Sequence, residues 1–221
     1  MADYSSGPVI VTGMVLASSP VGDSDRRVVI LTKERGKITA FAKGARRQGS
    51  RLMASTEQFC FGNFKLYEGR TAYNLSEASI TNYFEQLRED FENACLGMYF
   101  LEFADYYTRE NNDETQMLGL LYQSIKAVCK ETLDNRLVRA VYEIKSIVVN
   151  GEFPGVPADM ELDGSTRYTV DFIVNTPVEK LYTFAVSDKV RSELTALAEM
   201  YRKRFIDRKF KSIDLLSETG V

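Results

Sequence analysis

The sequence predicts an α+β chain in which a small β-barrel precedes a helical domain. Two observations carry that reading. Up to about residue 80, apolar residues recur with period 2 between turn residues; beyond it the period is 3.6. A third observation concerns function. Residues 24–51, SDRRVVILTKERGKITAFAKGARRQGSR, hold nine Lys and Arg against two acids, a local charge of +7 in a chain whose net charge is −3. The basic residues alternate with the strand-forming runs VVIL and ITAFA, which predicts a folded, positively charged sheet surface and not a disordered tail.

Residues 9–16 (VIVTGMVL) read as the first strand, with Gly13 as a bulge or bend. A loop follows at residues 20–23. Residues 27–32 and 38–42 form a hairpin across KERGK, where Gly36 supplies a positive φ. After the basic loop 44–50, residues 57–67 read as a longer strand with a bulge at Gly62-Asn63, and residues 71–78 close the set after the turn EGR. Five short strands in about 75 residues, with glycine bends, fit a five-stranded closed barrel of the OB type. A single sandwich sheet or an SH3-like barrel would give the same pattern.

From residue 81 the stripes are helical. Leu96, Phe100, Phe103 and Tyr107 lie on one face of a helix over residues 90–110. Met117, Leu121, Ile125 and Val128 mark the next, opened by Asp113 as N-cap. Leu137, Val141, Ile144 and Val148 mark a third, stopped by Asn150-Gly151 and Pro154. Short connections make these an antiparallel bundle. A fourth helix covers residues 187–206, and residues 213–216 are a short apolar tail. Between the third and fourth helices, residues 164–186 alternate as Tyr168, Val170, Phe172, then a turn at Asn175-Thr176-Pro177, then Tyr182, Phe184, Val186. That pattern predicts a small inserted β-hairpin. The expected domains are thus residues 1–80, binding nucleic acid, and residues 81–221, helical with the hairpin insertion.

Composition narrows the function. The chain has no histidine, which removes the commonest general base, the Ser-His and Cys-His nucleophiles and most zinc sites. Its three cysteines (Cys60, Cys95, Cys129) form no C-x-x-C pair and sit in apolar segments, as buried thiols of a reducing compartment do. The opening MADYSSGPVIVTG lacks the pattern of a secretory signal, and no apolar run reaches the ~20 residues that span a bilayer. The expectation is a cytoplasmic, non-catalytic protein with no cofactor.

The candidate contacts to phosphate are Arg26, Arg27, Lys33, Arg35, Lys37, Lys43, Arg46, Arg47 and Arg51. Charge runs are often only a solvated face, but this imbalance is set in strands, and a barrel offers a groove and stacking platforms for a single strand. Phe41, Phe59, Phe61, Phe64 and Tyr67 are candidate stackers; alternation turns most of them into the core and leaves Tyr67 and Tyr73 as the exposed ones. A second cluster near the C-terminus, including Arg202, Arg204, Lys209 and Lys211, is explained either by the dipole of the last helix or as contacts to DNA or an acidic peptide. Arg136 and Arg139 on the third helix are either ordinary surface charge or a clamp for such a peptide. Asp159, Glu161 and Asp163 superficially suggest a metal loop but lack the glycine and distal glutamate of a calcium loop.

Several of these residues form a pattern. PVGDSDR at residues 20–26, LTKERGK at 31–37, AKGARR at 42–47 and SRL at 50–52 closely resemble the N-terminal signature of the bacterial recombination mediator family RecO: G(E/D)xxR, LT(K/R)E(R/H)G, AKGARR and SR in order. At the far end FKSIDLL, residues 210–216, is similar to the family's lKSrxfL. The resemblance implies an N-terminal OB fold, a helical C-terminal domain and no catalytic chemistry. It implies binding of single- and double-stranded DNA, annealing of complementary strands, capture of the acidic tail of single-stranded-DNA-binding protein (SSB), and help, with RecR, in loading RecA; such a protein works at the nucleoid. Many relatives carry a four-cysteine zinc module between the third and fourth helices. Here that interval has no cysteine, so zinc is expected to be absent, with packing of Tyr168, Phe172, Tyr182 and Phe184 in its place. Two other readings remain open: a non-catalytic scaffold binding RNA or a protein through the same patch, and a metal-dependent nuclease using Asp159, Glu161 and Asp163.

Overall fold

A computed structural model describes residues 7–130 and 132–219, with the side chains of residues 217–219 left undescribed; the opening residues 1–6 of the segment read above as lacking a secretory signal lie outside it. The chain divides into two compact units, Met1–Glu85 with Ala104–Leu118, and Gln86–Phe103 with Gly119–Val221.

The first unit is built on five strands, β1 (Val9–Val21), β2 (Asp25–Thr32), β3 (Gly36–Ala42), β4 (Phe61–Glu68) and β5 (Tyr73–Asn82), with a short helix α1 (Leu52–Ser55) between β3 and β4. They close into a barrel in the order β1-β2-β3-β5-β4, with β3 and β5 parallel and every other pair antiparallel. This is the five-stranded OB-type barrel. β1 closes it by serving two partners: its first half pairs with β4 and its second half with β2. The register shift in β1 falls between Val15 and Ala17, not at Gly13. Gly13 is needed for another reason: a Cβ there would stand 2.3 Å from the Leu31 carbonyl oxygen, so a side chain would force the two strands apart. Val11, Val28, Ile30, Ile38, Phe64, Leu66 and Leu75 fill the interior, burying apolar area at about 25 cal/mol per Å².

The second unit is helical. Its elements are α2 (Phe91–Tyr107), α3 (Thr115–Val128), α4 (Asn135–Val149), α5 (Gly164–Asn175), α6 (Asp188–Phe205) and α7 (Lys211–Thr219); the ends of α2 and α3 that face one another in sequence fall in the first unit. α4 is buried nearly all round, from Leu137 to Ile147. Such a helix must satisfy its polar side chains internally. Tyr142 donates to the Phe100 carbonyl at 2.9 Å, and its ring lies 4.1 Å from that of Phe100. Phe210 meets Tyr99 edge-on at 5.7 Å, so the expected apolar tail is anchored just ahead of α7.

Residues 164–186 correct the expectation of a hairpin. Their first half, Gly164–Asn175, is α5, capped by the Asp163 carboxylate, which accepts from Ser165 N at 2.8 Å, and the rest holds a single 3-10 turn at Val178–Lys180 and no strand. The buried side chains are Thr166, Thr169, Val170 and Ile173, spaced as on a helix. Half of that stripe is threonine, so hydropathy does not show it. The period-2 series misleads because Tyr168 is 73% exposed. Phe172 and Phe184 do pack edge-on at 5.1 Å, and the Tyr182 hydroxyl lies 2.5 Å from Ser124 Oγ. The end of α5 is tied by Lys145, whose buried ammonium donates to the carbonyls of Ile173 (3.0 Å), Val174 (2.8 Å) and Thr176 (2.8 Å). Burial pushes its pKa down.

Candidate nucleic-acid interface

The nine basic residues of the island do not share one sheet surface, which corrects the expectation of a charged sheet face. β2 is buried on both sides from Val28 onward: Val28 and Ile30 fill the barrel, and Val29 and Leu31 on the opposite side are also buried. Charge is left only at the two ends of the β2–β3 hairpin. Between Arg27 and Thr32 lie about 17 Å of strand at ~3.3 Å per residue.

The tip holds Lys33, Arg35 and Lys37. Gly36, at φ +64°, bridges to Glu110, Lys37 N donates to the Arg109 carbonyl at 2.9 Å, and Asn111 N to the Arg35 carbonyl at 3.0 Å. The tip is thus latched to residues 109–111. Carboxylates answer its charge. Lys37 Nζ binds Asp105 Oδ1 at 3.0 Å, Arg35 stands 3.8 Å from Glu68, and Glu34 accepts from Thr12 N at 2.9 Å. Lys33 alone of the three is exposed; Arg35 and Lys37 are half-buried.

The other end is different. β3 stops at Ala42, and the chain turns back at Gly44, whose φ of +66° is a left-handed conformation that glycine adopts without strain. The loop 43–51 then folds against the β1–β2 turn. Gly44 N donates to Asp25 Oδ1 at 2.7 Å, Arg46 N to the Ser24 carbonyl at 2.8 Å, and Arg47 Nε to Ser24 Oγ at 3.3 Å. Arg46 Nη1 reaches the Gly22 carbonyl at 3.2 Å. Lys43, Arg46, Arg47 and Arg51 are all exposed, and among the described residues none of them is in an ion pair with a carboxylate. Arg27 is exposed on the same end, 3.3 Å from Thr39 Oγ1, with half-buried Phe41 opposite it in register.

Arg26 belongs to the island in sequence only. Its guanidinium turns toward the end of α1, donating to the Met53 carbonyl (2.8 Å) and Thr56 Oγ1 (3.0 Å) and pairing with Glu57 at 2.6 Å. Of the candidate stackers, Phe59 and Phe64 are buried, Phe61 and Tyr67 half-buried, and Tyr73, expected exposed, is 8% exposed. Phe41 is therefore the aromatic nearest the exposed cations in register, a position readable from the Lys37, Thr39, Phe41 alternation of β3.

In the helical unit Arg136, Arg139, Arg202 and Lys209 come together in a cleft of about 530 Å³, with Glu143, Glu199 and Asp214 among them and Ala140, Ala198 and Ile213 on its walls. Arg139 is no ordinary surface charge: it pairs with buried Glu143 at 2.9 Å and lies 5.0 Å over the Tyr99 ring, while Tyr99 donates to the same carboxylate at 2.5 Å. Burial, then the Glu143 charge, pushes the Tyr99 hydroxyl well above its usual range. Burial works against the Arg139 cation, but Glu143 holds its pKa above the ordinary value. Arg202 Nε is buried with no hydrogen-bond partner among the described residues. Arg204, over the Phe205 ring at 5.5 Å, and exposed Lys211 stand outside this lining. Asp159, Glu161 and Asp163 are not gathered into a metal site: no group of three potential ligands exists among the described residues, and Asp163 is engaged with Ser165 and, at 2.8 Å, Lys189.

A closed OB-type barrel with a basic loop beside its β1–β2 turn, followed by a helical domain centred on one buried helix, defines the class. Residues 8–84 match the model of the N-terminal domain of recombination protein O, and residues 88–156 that of its C-terminal domain. The chain belongs to the RecO family. It is 24% identical to the DNA repair protein RecO of Acetivibrio thermocellus over 93% of this chain and 94% of that protein. The RecO of Clostridium novyi is 22% identical over 92% and 91% of the two chains. That of Alkaliphilus metalliredigens is 32% identical over 64% of this chain and 58% of its own.

Proposed function

We propose that this is a DNA repair protein that grips DNA strands at the loop 43–51 and brings complementary strands together without covalent chemistry. One observation carries the reading: Lys43, Arg46, Arg47 and Arg51 are exposed and, among the described residues, unanswered by carboxylates, beside the β1–β2 turn, one of the loops at which OB barrels take oligonucleotides. Arg27 and Phe41 extend the grip with a charge and a ring face. Neutralising phosphates on two strands offsets their repulsion and lets bases pair, on single-stranded and double-stranded DNA alike. Residues 1–80 would form the DNA-binding domain and residues 81–221 the domain that meets protein partners, in the cytoplasm at the nucleoid.

The cleft of the helical unit favours a companion role. Four cations and three carboxylates between apolar walls leave a small net positive charge. That suits a short acidic peptide, such as the acidic tail of SSB, better than a phosphate track. With RecR, such binding would let the protein act on SSB-coated DNA and assist RecA indirectly.

A titration of labelled single-stranded DNA against salt tests the first role. If about six phosphates are neutralised, log K should fall against log salt with a slope near −4. Replacing Lys43, Arg46 and Arg47 with Ala should flatten it by about two to three units; an unchanged slope removes the loop from the site. If the protein fails to accelerate pairing of complementary DNA strands, the scaffold reading, with RNA or protein on the same patch, takes its place.

A further inference from the structure

We propose that Asp25 is the positioning residue of this DNA site, so that removing its carboxylate from the basic surface weakens DNA binding instead of tightening it. The inference rests on the reading of the loop 43–51 as the place where DNA binds. On charge alone, an acid among cations opposes phosphate, and its loss should raise affinity. The geometry points the other way. Asp25 Oδ1 accepts from Gly44 N at 2.7 Å, at the left-handed turn where β3 gives way to the loop. Its neighbour Ser24 accepts from Arg46 N and Arg47 Nε at 2.8 and 3.3 Å. The next residue, Arg26, ties down α1 and the residues after it, just beyond the loop, through Met53, Thr56 and Glu57.

Ser24 and Asp25 therefore hold the first half of the loop, residues 44–47, and Arg26 anchors α1, into which the loop runs. A loop ordered before DNA arrives loses little further entropy on binding, which is how preorganisation raises affinity. Asp25 thus acts against its own sign, an acid that helps an anion bind, and Arg26 is a cation that helps without touching the anion.

The test is equilibrium binding of a labelled thymidine oligonucleotide to the full chain across a salt series, for the wild type, D25A, D25N and the triple variant K43A/R46A/R47A. Both Asp25 variants remove one negative charge, but asparagine keeps an oxygen acceptor for Gly44 N and alanine does not. D25N should bind at least about as tightly as the wild type. D25A should bind about fivefold to tenfold more weakly. Both should keep the wild-type salt slope, since no cation is lost, and amide exchange at Gly44 should rise in D25A. Wild-type or tighter binding by D25A overturns the proposal, as does D25N binding as weakly as D25A. If D25A does not fold, Ser24→Ala, which removes an acceptor for Arg47 and changes no charge, should also weaken binding; unchanged affinity there overturns the proposal. The triple variant separates the two layers. An unchanged slope in it refutes the site and the positioning role together, whereas a flattened slope beside wild-type binding by D25A refutes the positioning role alone.

Discussion

The loop 43–51 and the cleft along α4 and α6 are both rich in arginine and lysine, yet they hold those charges in opposite ways. In the cleft, Arg139 is spent on Glu143, Lys209 on Asp214 at 2.9 Å, and Arg202 stands 3.9 Å from Glu199. In the loop, the partners of Arg46 and Arg47 are carbonyl and hydroxyl oxygens, which orient a cation without cancelling it. The difference teaches that the count of basic residues in a segment says little about the charge it offers to a ligand. What matters is whether folding brings a carboxylate to each one.

That contrast breaks first on stability. Glu143→Ala removes the acceptor shared by Arg139 and Tyr99 in a site where the carboxylate is 2% exposed. It should cost about 3 kcal/mol or more in denaturant unfolding; a loss under about 1 kcal/mol would mean that the cleft's charges are not part of the scaffold. Lys145→Met sharpens the contrast with a cation that has carbonyl partners but is buried. It should cost about 1–2 kcal/mol and raise hydrogen exchange at the end of α5, while exchange in the barrel stays as it was. Replacing Lys43, Arg46 and Arg47 together should change stability by no more than about 0.5 kcal/mol, even as the DNA salt slope flattens. A larger loss would mean that the loop's cations, like the cleft's, are structural.

The smallest effect is a titration. Lys189 first, then the Ser165 amide, holds the Asp163 carboxyl down from 3.8 to about 2. Its folded pKa lies below its unfolded one, so its contribution to the α5 cap is complete above about pH 4 and is lost as pH falls through about 2. A carboxyl NMR titration with a midpoint near 4 would contradict this pairing. Asp163→Asn should remove that step from the acid unfolding curve.

The barrel was legible because its signal is local. In β3, Ile38, Ala40 and Ala42 alternate with Lys37, Thr39 and Phe41, and the pleat puts the first set inside. α1 was missed, since four residues are too few to show a period, and the strand expected from residue 57 begins only at Phe61. α5 was misread because its buried face is partly threonine while its aromatic residues imitate a strand. The basic island was plain in the sequence, but its sorting was not. Whether Arg26, Arg35 or Lys37 is spent depends on Glu57, Glu68 and Asp105, which lie far along the chain and reach them only on folding. Asp25 was hidden for the converse reason: an acid inside a cationic run looks like dilution until Gly44 is seen against it.

The double pairing of β1 and the latch at Gly36 also set an order of assembly. During synthesis the β2–β3 hairpin can form as soon as it emerges, because its contacts are near in sequence. Closure cannot follow until β4 arrives to take the first half of β1, and the hairpin tip finds its last partners only with residues 109–111. Until β4 emerges, the first half of β1 has an unpaired, largely apolar edge, a template for a neighbouring nascent chain. The nascent protein is therefore most vulnerable to misassembly between the emergence of β1 and that of β4, and a pause in translation within that interval should lower the yield of folded chain more than one placed after it.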